Sequence, residues 1–230
     1  MLNELKKAVC EANLSLADSG LVIDTWGNVS GIDADRRNVV IKPSGVPYKG
    51  MEPRHMVVVS LADGKVVEGD LKPSSDTATH LEIYRNFAGV GGVVHTHSLF
   101  ATAWAQAQRA IPVLGTTHAD YFNGPVPCTR EMTADEIDRD YEANTGKVII
   151  ERFRSLNPLH LPGVLVAGHG PFAWGQSAAQ AVHNAIILEH LAQLASCTLA
   201  LAANATPIAD ALLNKHFGRK HGPGSYYGQK

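Results

Sequence analysis

Cysteine is scarce in this chain. The 230 residues hold three, Cys10, Cys128 and Cys197, far apart and with no C-x-x-C spacing. That excludes a disulfide framework or a cysteine-ligated zinc module. The thiols read as reduced, buried groups of a cytoplasmic protein. A charge excess of either sign is also lacking: the formal net charge is −2 at pH 7, which leaves no electrostatic footprint for nucleic acid. Long apolar runs are missing. The greasiest stretch, Leu191 to Ala205, carries Gln193, Ser196, Thr198 and Asn204. It is too short and too polar for a membrane span, and a buried or inter-subunit helix is expected instead. The first residues mix Glu4 with Lys6 and Lys7 and have no apolar h-region, so no secretory leader is expected. Internal repeats, low-complexity tracts and linkers are absent too. One domain over 1–230, with one sizeable core, is the expectation.

What is present is a set of short apolar runs ending in polar chemistry. Leu2, Leu5, Val9, Ala12 and Leu16 have helical spacing, and Gly20 ends that helix. Val39–Ile41, Val57–Val59 and Val66–Val67 read as strands, the last two flanking a hairpin signal at Ala62-Asp63-Gly64. Helices are predicted over 77–87, 99–108, from the capping-box signature Thr133 to Glu136, from Ser177 towards 204, and over 208–217. Strands mixed with helices, hairpins early, predict a three-layer α/β/α architecture with a largely antiparallel central sheet.

Gly91-Gly92-Val93-Val94 reads as a buried strand closing on His95-Thr96-His97. Residues i and i+2 of a strand share a face, so His95 and His97 are expected side by side, as metal chelators require. Such a pair on its own is as often a satisfied structural pair. A third imidazole, His169, follows the apolar run Val164–Ala167 and sits between glycines where the backbone can bend. Three histidines with an open position are the form of a catalytic zinc site.

Polar loops surround these strands. Trp26-Gly27-Asn28-Val29-Ser30 and Lys42-Pro43-Ser44-Gly45 lie at strand ends, and Lys72-Pro73-Ser74-Ser75-Asp76 precedes a helix. Amide groups at a helix start, serine hydroxyls and a nearby lysine suit a phosphate, although turn and capping roles would use the same residues. Asp76 is either a first-turn helix acid or a group reaching the metal. The stretch 116–121 is polar inside an apolar region and reads as a loop, with Asp120 a candidate acid/base. The tail from His221 to Gly228 sets Tyr226 and Tyr227 among glycines, which suggests a docked segment. His183 and His190 read as helix packing; His55, His80 and His160 find no pattern.

Seven segments carry a resemblance that runs the length of the chain: T-W-G-N-V-S at 25–30, I-K-P-S-G-V at 41–46, K-P-S-S-D-T at 72–77, V-H-T-H-S at 94–98, G-T-T-H-A-D-Y-F at 115–122, H-G-P-F-A-W-G at 169–175 and K-H-G-P-G-S-Y-Y-G-Q at 220–229. Together they resemble the class II aldolase family of metal enzymes, and within it the members that epimerise a pentulose phosphate. The resemblance implies zinc, or manganese or cobalt in its place, on His95, His97 and His169, with Asp76 at or beside it. It implies substrate contacts from Gly27, Asn28, Lys42, Ser44, Gly45, Ser74 and Ser75. It implies Asp120 and Tyr227 as an acid/base pair with His216 nearby, and a homotetramer whose sites are shared between subunits. The reaction implied is inversion at C4 of L-ribulose 5-phosphate to give D-xylulose 5-phosphate, by retro-aldol cleavage and re-addition. An aldolase that releases its aldehyde is the alternative, and family members of that kind typically carry Glu where this chain has Asp76. A zinc-stabilised binding protein is a further alternative, disfavoured by an anion site beside the metal.

Overall fold

Adjacent valines part company in this protein. Val39, Val57, Val59 and Val93 enter one hydrophobic cluster, whereas Val40, Val58 and Val94 enter another. This is the period-two alternation of strands buried on both faces. The computed structural model describes residues 2–222, 225 and 226. Its strands are β1 (Asn28–Ile32), β2 (Asn38–Ile41), β3 (Val57–Ser60), β4 (Val66–Glu68), β5 (Gly92–His95), β6 (Gly163–Val166) and β7 (Gly170–Gly175). They form one sheet in the order β4-β3-β2-β1-β5-β7-β6, every neighbouring pair antiparallel.

The helices are α1 (Leu2–Asp18), α2 (Thr77–Asn86), α3 (Leu99–Gln106), α4 (Thr116–Ala119), α5 (Ala134–Arg152), α6 (Ala178–Leu201) and α7 (Asp210–His221). Helix α1 and the first half of α6 cover one face, through Val9, Leu16, Ala181 and Val182. Helices α2, α3 and α5 cover the other, through Leu81, Tyr84, Trp104 and Ile149. The expected three layers are there. Gly91 and Gly92 are required by this packing: a Cβ on either would overlap the backbone at Gln176 or Ser177, where α6 begins. Ser177 caps that helix by accepting from the Gln180 amide, and Thr133 with Glu136 forms the predicted capping box of α5.

Several expectations are corrected. Strand β5 ends at His95, so His97 lies beyond it and reaches the site from the following loop. The 116–121 stretch holds a helical turn, α4, because His118 and Ala119 are buried and Nε2 of His118 bonds the Gly124 carbonyl oxygen at 2.9 Å. Residues after His169 form β7, whose Phe172, Ala173 and Trp174 alternate between the two cores. Helix α6 spans 24 residues and is by length and composition apolar enough to cross a membrane; its inner face, however, packs on the sheet and on α3. His183 and His190 lie on its exposed side, His183 still against the Tyr121 ring at 5.7 Å between centroids, and Cys197 is exposed there too, while only Cys10 of the three free thiols is fully buried.

Candidate active site

Sheet register builds the site. Asn28 of β1 pairs with His95 of β5, and His95 pairs with Phe172 of β7. Three central strands therefore bring an amide, an imidazole and an aromatic ring into one row. His95 stacks on Phe172 with centroids 4.2 Å apart and donates from Nδ1 to the Pro171 carbonyl oxygen at 3.0 Å. That leaves its Nε2 facing Nε2 of His97 at 3.1 Å. His169 comes from the β6–β7 turn, where Gly168 takes φ +70° and donates its amide to the Ala105 carbonyl oxygen. One nitrogen from each of the three rings lies within 4.8 Å of the others.

The donor chemistry fits a divalent cation. Desolvation and the neighbouring His95 push His97 below the ordinary imidazole value, and burial with His95 pushes His169 to about 4. Those two rings are thereby favoured in the neutral, ligating form. Lone pairs converging at such a spacing repel unless a cation or proton lies between them. Asp76 lines the same cleft and sits at the N-cap position of α2, but its side chain caps nothing. Its Oδ2 accepts from Nδ2 of Asn28 at 2.7 Å. Burial opposes its ionisation, yet His95, His80 and the Asn28 amide hold the carboxyl below the usual range. The imidazoles alone form the close nitrogen cluster, with Asp76 beside it.

The cleft measures about 400 Å³ and also takes in Gly27, Asn28, Lys42, Ser44, Gly45, Ser74 and Ser75. Two of its loops are laced together: Ser44 N donates to Lys72 O at 2.9 Å, Ser74 N to Lys42 O at 3.0 Å, and Pro43 bridges Pro73. The serine hydroxyls at the head of α2 are thereby held beside Lys42. Lys42 is buried, its ammonium 4.8 Å from the Tyr48 ring centroid, and burial lowers its pKa to about 8. The same Tyr48 donates to the Gly27 carbonyl oxygen at 2.8 Å. Gly27 takes φ +99°, and a Cβ there would meet Val22 at 2.7 Å. Asn28 Oδ1 is buried and has no hydrogen-bond partner among the described residues.

Asp120 and His216 are not in this cleft. They meet where α4 touches α7: Asp120 accepts from Nδ1 of His216 at 3.0 Å and from Nη2 of Arg219 at 3.0 Å, with Lys220 Nζ 3.6 Å away. Partial burial opposes ionisation, but Arg219, His216 and Lys220 hold the Asp120 carboxyl below its usual value. Tyr227 lies outside the described residues. Just before it, Tyr226 donates its amide to the Arg219 carbonyl oxygen, and Lys215 lies over its ring.

Residues 7–196 match the sequence profile of the Class II Aldolase and Adducin N-terminal domain. The chain belongs to that family. Class II aldolases depend on a metal, and this family member has an imidazole cluster that could hold one. Relatives named L-ribulose-5-phosphate 4-epimerase UlaF, from Salmonella paratyphi A and Salmonella typhi, are each 58% identical over 229 residues, covering the whole of both chains. Among solved structures, an L-fuculose 1-phosphate aldolase superposes with a TM-score of 0.78 at 22% identity, covering 93% of this chain and 94% of that one. YgbL from Klebsiella pneumoniae, described as a putative aldolase/epimerase/decarboxylase, gives 0.72 at 24% identity over 94% and 98%. These two likenesses establish the class II aldolase fold.

In this class II aldolase-family cleft, sequence reasoning missed Tyr141 and Glu142 of α5, which line it. Neither stands in a motif, and their approach depends on a break in the helix that no local pattern announces. Trp26, quoted only as part of a motif, also lines the cleft, its ring centroid 6.3 Å from that of His97.

Proposed function

We propose that this chain interconverts L-ribulose 5-phosphate and D-xylulose 5-phosphate by inversion at C4. The observation that carries the reading is one cleft joining a three-imidazole cluster to serine-rich loops and a buried lysine. Full-length identity of 58% to proteins named for this epimerisation supports the substrate.

C4 bears a hydroxyl and no acidic C–H, so deprotonation at carbon cannot invert it. The ketone at C2 makes the C3–C4 bond cleavable. A base takes the C4 hydroxyl proton, and the bond breaks to glycolaldehyde phosphate and a three-carbon fragment that keeps the electron pair. The aldehyde turns its other face, the bond re-forms, and an acid on that side returns a proton. His95, His97 and His169 would hold the cation, with zinc the favoured ion by its preference for neutral imidazole. When bound, it supplies Lewis acidity to oxygens on which negative charge develops. Lys42, Ser44, Gly45, Ser74 and Ser75 hold the phosphate, and Asn28, with Gly27 at its back, steadies the substrate and the Asp76 carboxylate.

Inversion needs proton transfer on opposite faces, and we assign it to Asp120 and Tyr227, with His216 steadying Asp120. Asp120 lies outside the cleft of its own chain, which favours its serving a neighbouring subunit in a fourfold homotetramer. The exposed Leu194 and Leu201 of α6 suit burial in such an assembly. Free thiols throughout suit the cytoplasm.

A coupled assay for D-xylulose 5-phosphate tests the reading. Product should form, cease on chelation and return with added zinc. Release of free glycolaldehyde phosphate as the main product would make the protein an aldolase; no turnover in any metal would make it a binding protein.

A further inference from the structure

Helix α5 starts at its capping box and then breaks at Asp140, whose φ of −163° and ψ of 63° are not helical. Side chains from two helices hold the break. Asn144 Nδ2 donates to the Glu136 carbonyl oxygen at 2.8 Å, Thr145 Oγ1 to that of Tyr141 at 2.8 Å, and Thr79 Oγ1 of α2 to that of Glu142 at 2.6 Å. The Glu136 carbonyl, whose helical partner would be the Asp140 amide, is thus given a side-chain donor, and Thr79 ties the segment just past the break to α2.

The first residue beyond the break is Tyr141, with its hydroxyl oxygen 3.4 Å from Nδ1 of His169 and its ring centroid 6.0 Å from the imidazole. The two histidines of the cluster whose Nδ1 has a protein partner differ in kind. His95 uses a backbone carbonyl, fixed by strand pairing. His169 sits in a turn between two glycines, outside the strand ladder, and the partner of its Nδ1 is a side chain.

We propose that Tyr141 is a positioning residue: its Oη accepts the Nδ1–H of His169, fixing the tautomer and ring rotation that present Nε2 to the cation. The proposal rests on the three-histidine metal reading above. A hydrogen bond to the far nitrogen of a ligating imidazole orients the ring and raises its basicity.

The test is zinc affinity of the whole protein, measured by competition with a chromogenic chelator, for the unsubstituted chain, Tyr141→Phe and His169→Asn. Thermal melting of each metal-free protein is the companion measurement. Tyr141→Phe keeps the ring and removes only the hydroxyl. It should bind zinc about tenfold or more weakly, with metal-free melting unchanged. Equal affinity would overturn the proposal. So would a loss of affinity matched by a loss of metal-free stability, since the hydroxyl would then serve packing alone. If His169→Asn binds zinc as well as the unsubstituted chain, the metal reading itself fails and takes the proposal with it.

Discussion

Lys42 keeps an ammonium where little water reaches it, and its pKa of about 8 leaves it partly neutral in mildly alkaline solution. Burial favours the neutral form; a bound phosphate dianion favours the charged one. Substrate affinity should therefore hold to about pH 8 and weaken above it, by up to about tenfold per pH unit. KM measured from pH 7 to 9.5 checks this, and Lys42→Met should raise KM at pH 7 and abolish the alkaline rise. A KM that stays flat to pH 9.5 would take Lys42 off the phosphate. Asp76 is a second residue whose reach matters, since its carboxylate is tied to Asn28 at 2.7 Å. Asp76→Glu extends the arm by one methylene towards the cleaved fragment. The share of turnovers that release glycolaldehyde phosphate should rise about tenfold, equivalent to about 1.4 kcal/mol in the partition. Trapping the aldehyde with a dehydrogenase couple measures it; unchanged release with intact epimerisation would show that the arm length is irrelevant.

Among the elements, the one-turn helix α4 depends on a single buried imidazole. Burial pushes His118 to about 4, against the pull of its bond to Gly124, so the folded protein keeps it neutral. The unfolded chain takes up that proton near pH 6.5. The folded pKa lies below the unfolded one, so the contribution is complete above about pH 6.5 and is lost as pH falls towards 4. The share at stake is about 3 kcal/mol. Urea unfolding at pH 7.5 and pH 5 should show His118→Gln less pH-sensitive than the unsubstituted chain, and an identical dependence would remove His118 from the account. The same helix marks the limit of what was legible beforehand. Spacing and caps revealed α1, α2, α3 and α6, because those signals are local. The polar 116–121 stretch passed for a loop because its helical turn is held by the distant Gly124 carbonyl. Gly170–Gly175, with a proline near its start, gave no strand signal, since β7 exists through pairing with β5 and β6. His95 lies at a strand end, as its sequence pattern predicts, whereas His97 converges from a loop and His169 from the turn between β6 and β7. Tyr141 stayed hidden because the α5 kink is fixed by Thr79 of another helix.

On the scale of the whole molecule, the cleft and the Asp120 cluster occupy different regions of one chain, and subunit sharing has a direct test. His97→Asn and Asp120→Asn should each be nearly inactive alone. Denatured together, mixed in equal amounts and refolded, they should regain activity at roughly a quarter of the interfaces, those pairing an intact cluster with an intact Asp120. Co-assembly without recovery would place both functions in a single chain. The sheet order has a kinetic consequence of its own. Strands β1 to β4 follow one another as a local meander, while β5 docks on β1 across more than sixty residues and on β7 across a comparable span. Closing such long loops is the entropically slow part of folding. Asn28 and His95 become neighbours only when β1 and β5 join, and His169 arrives only with the β6–β7 hairpin. A chain emerging from the ribosome thus carries its serine-rich loops well before the three imidazoles can meet, so the cluster is complete only once the last long-range pairing has formed.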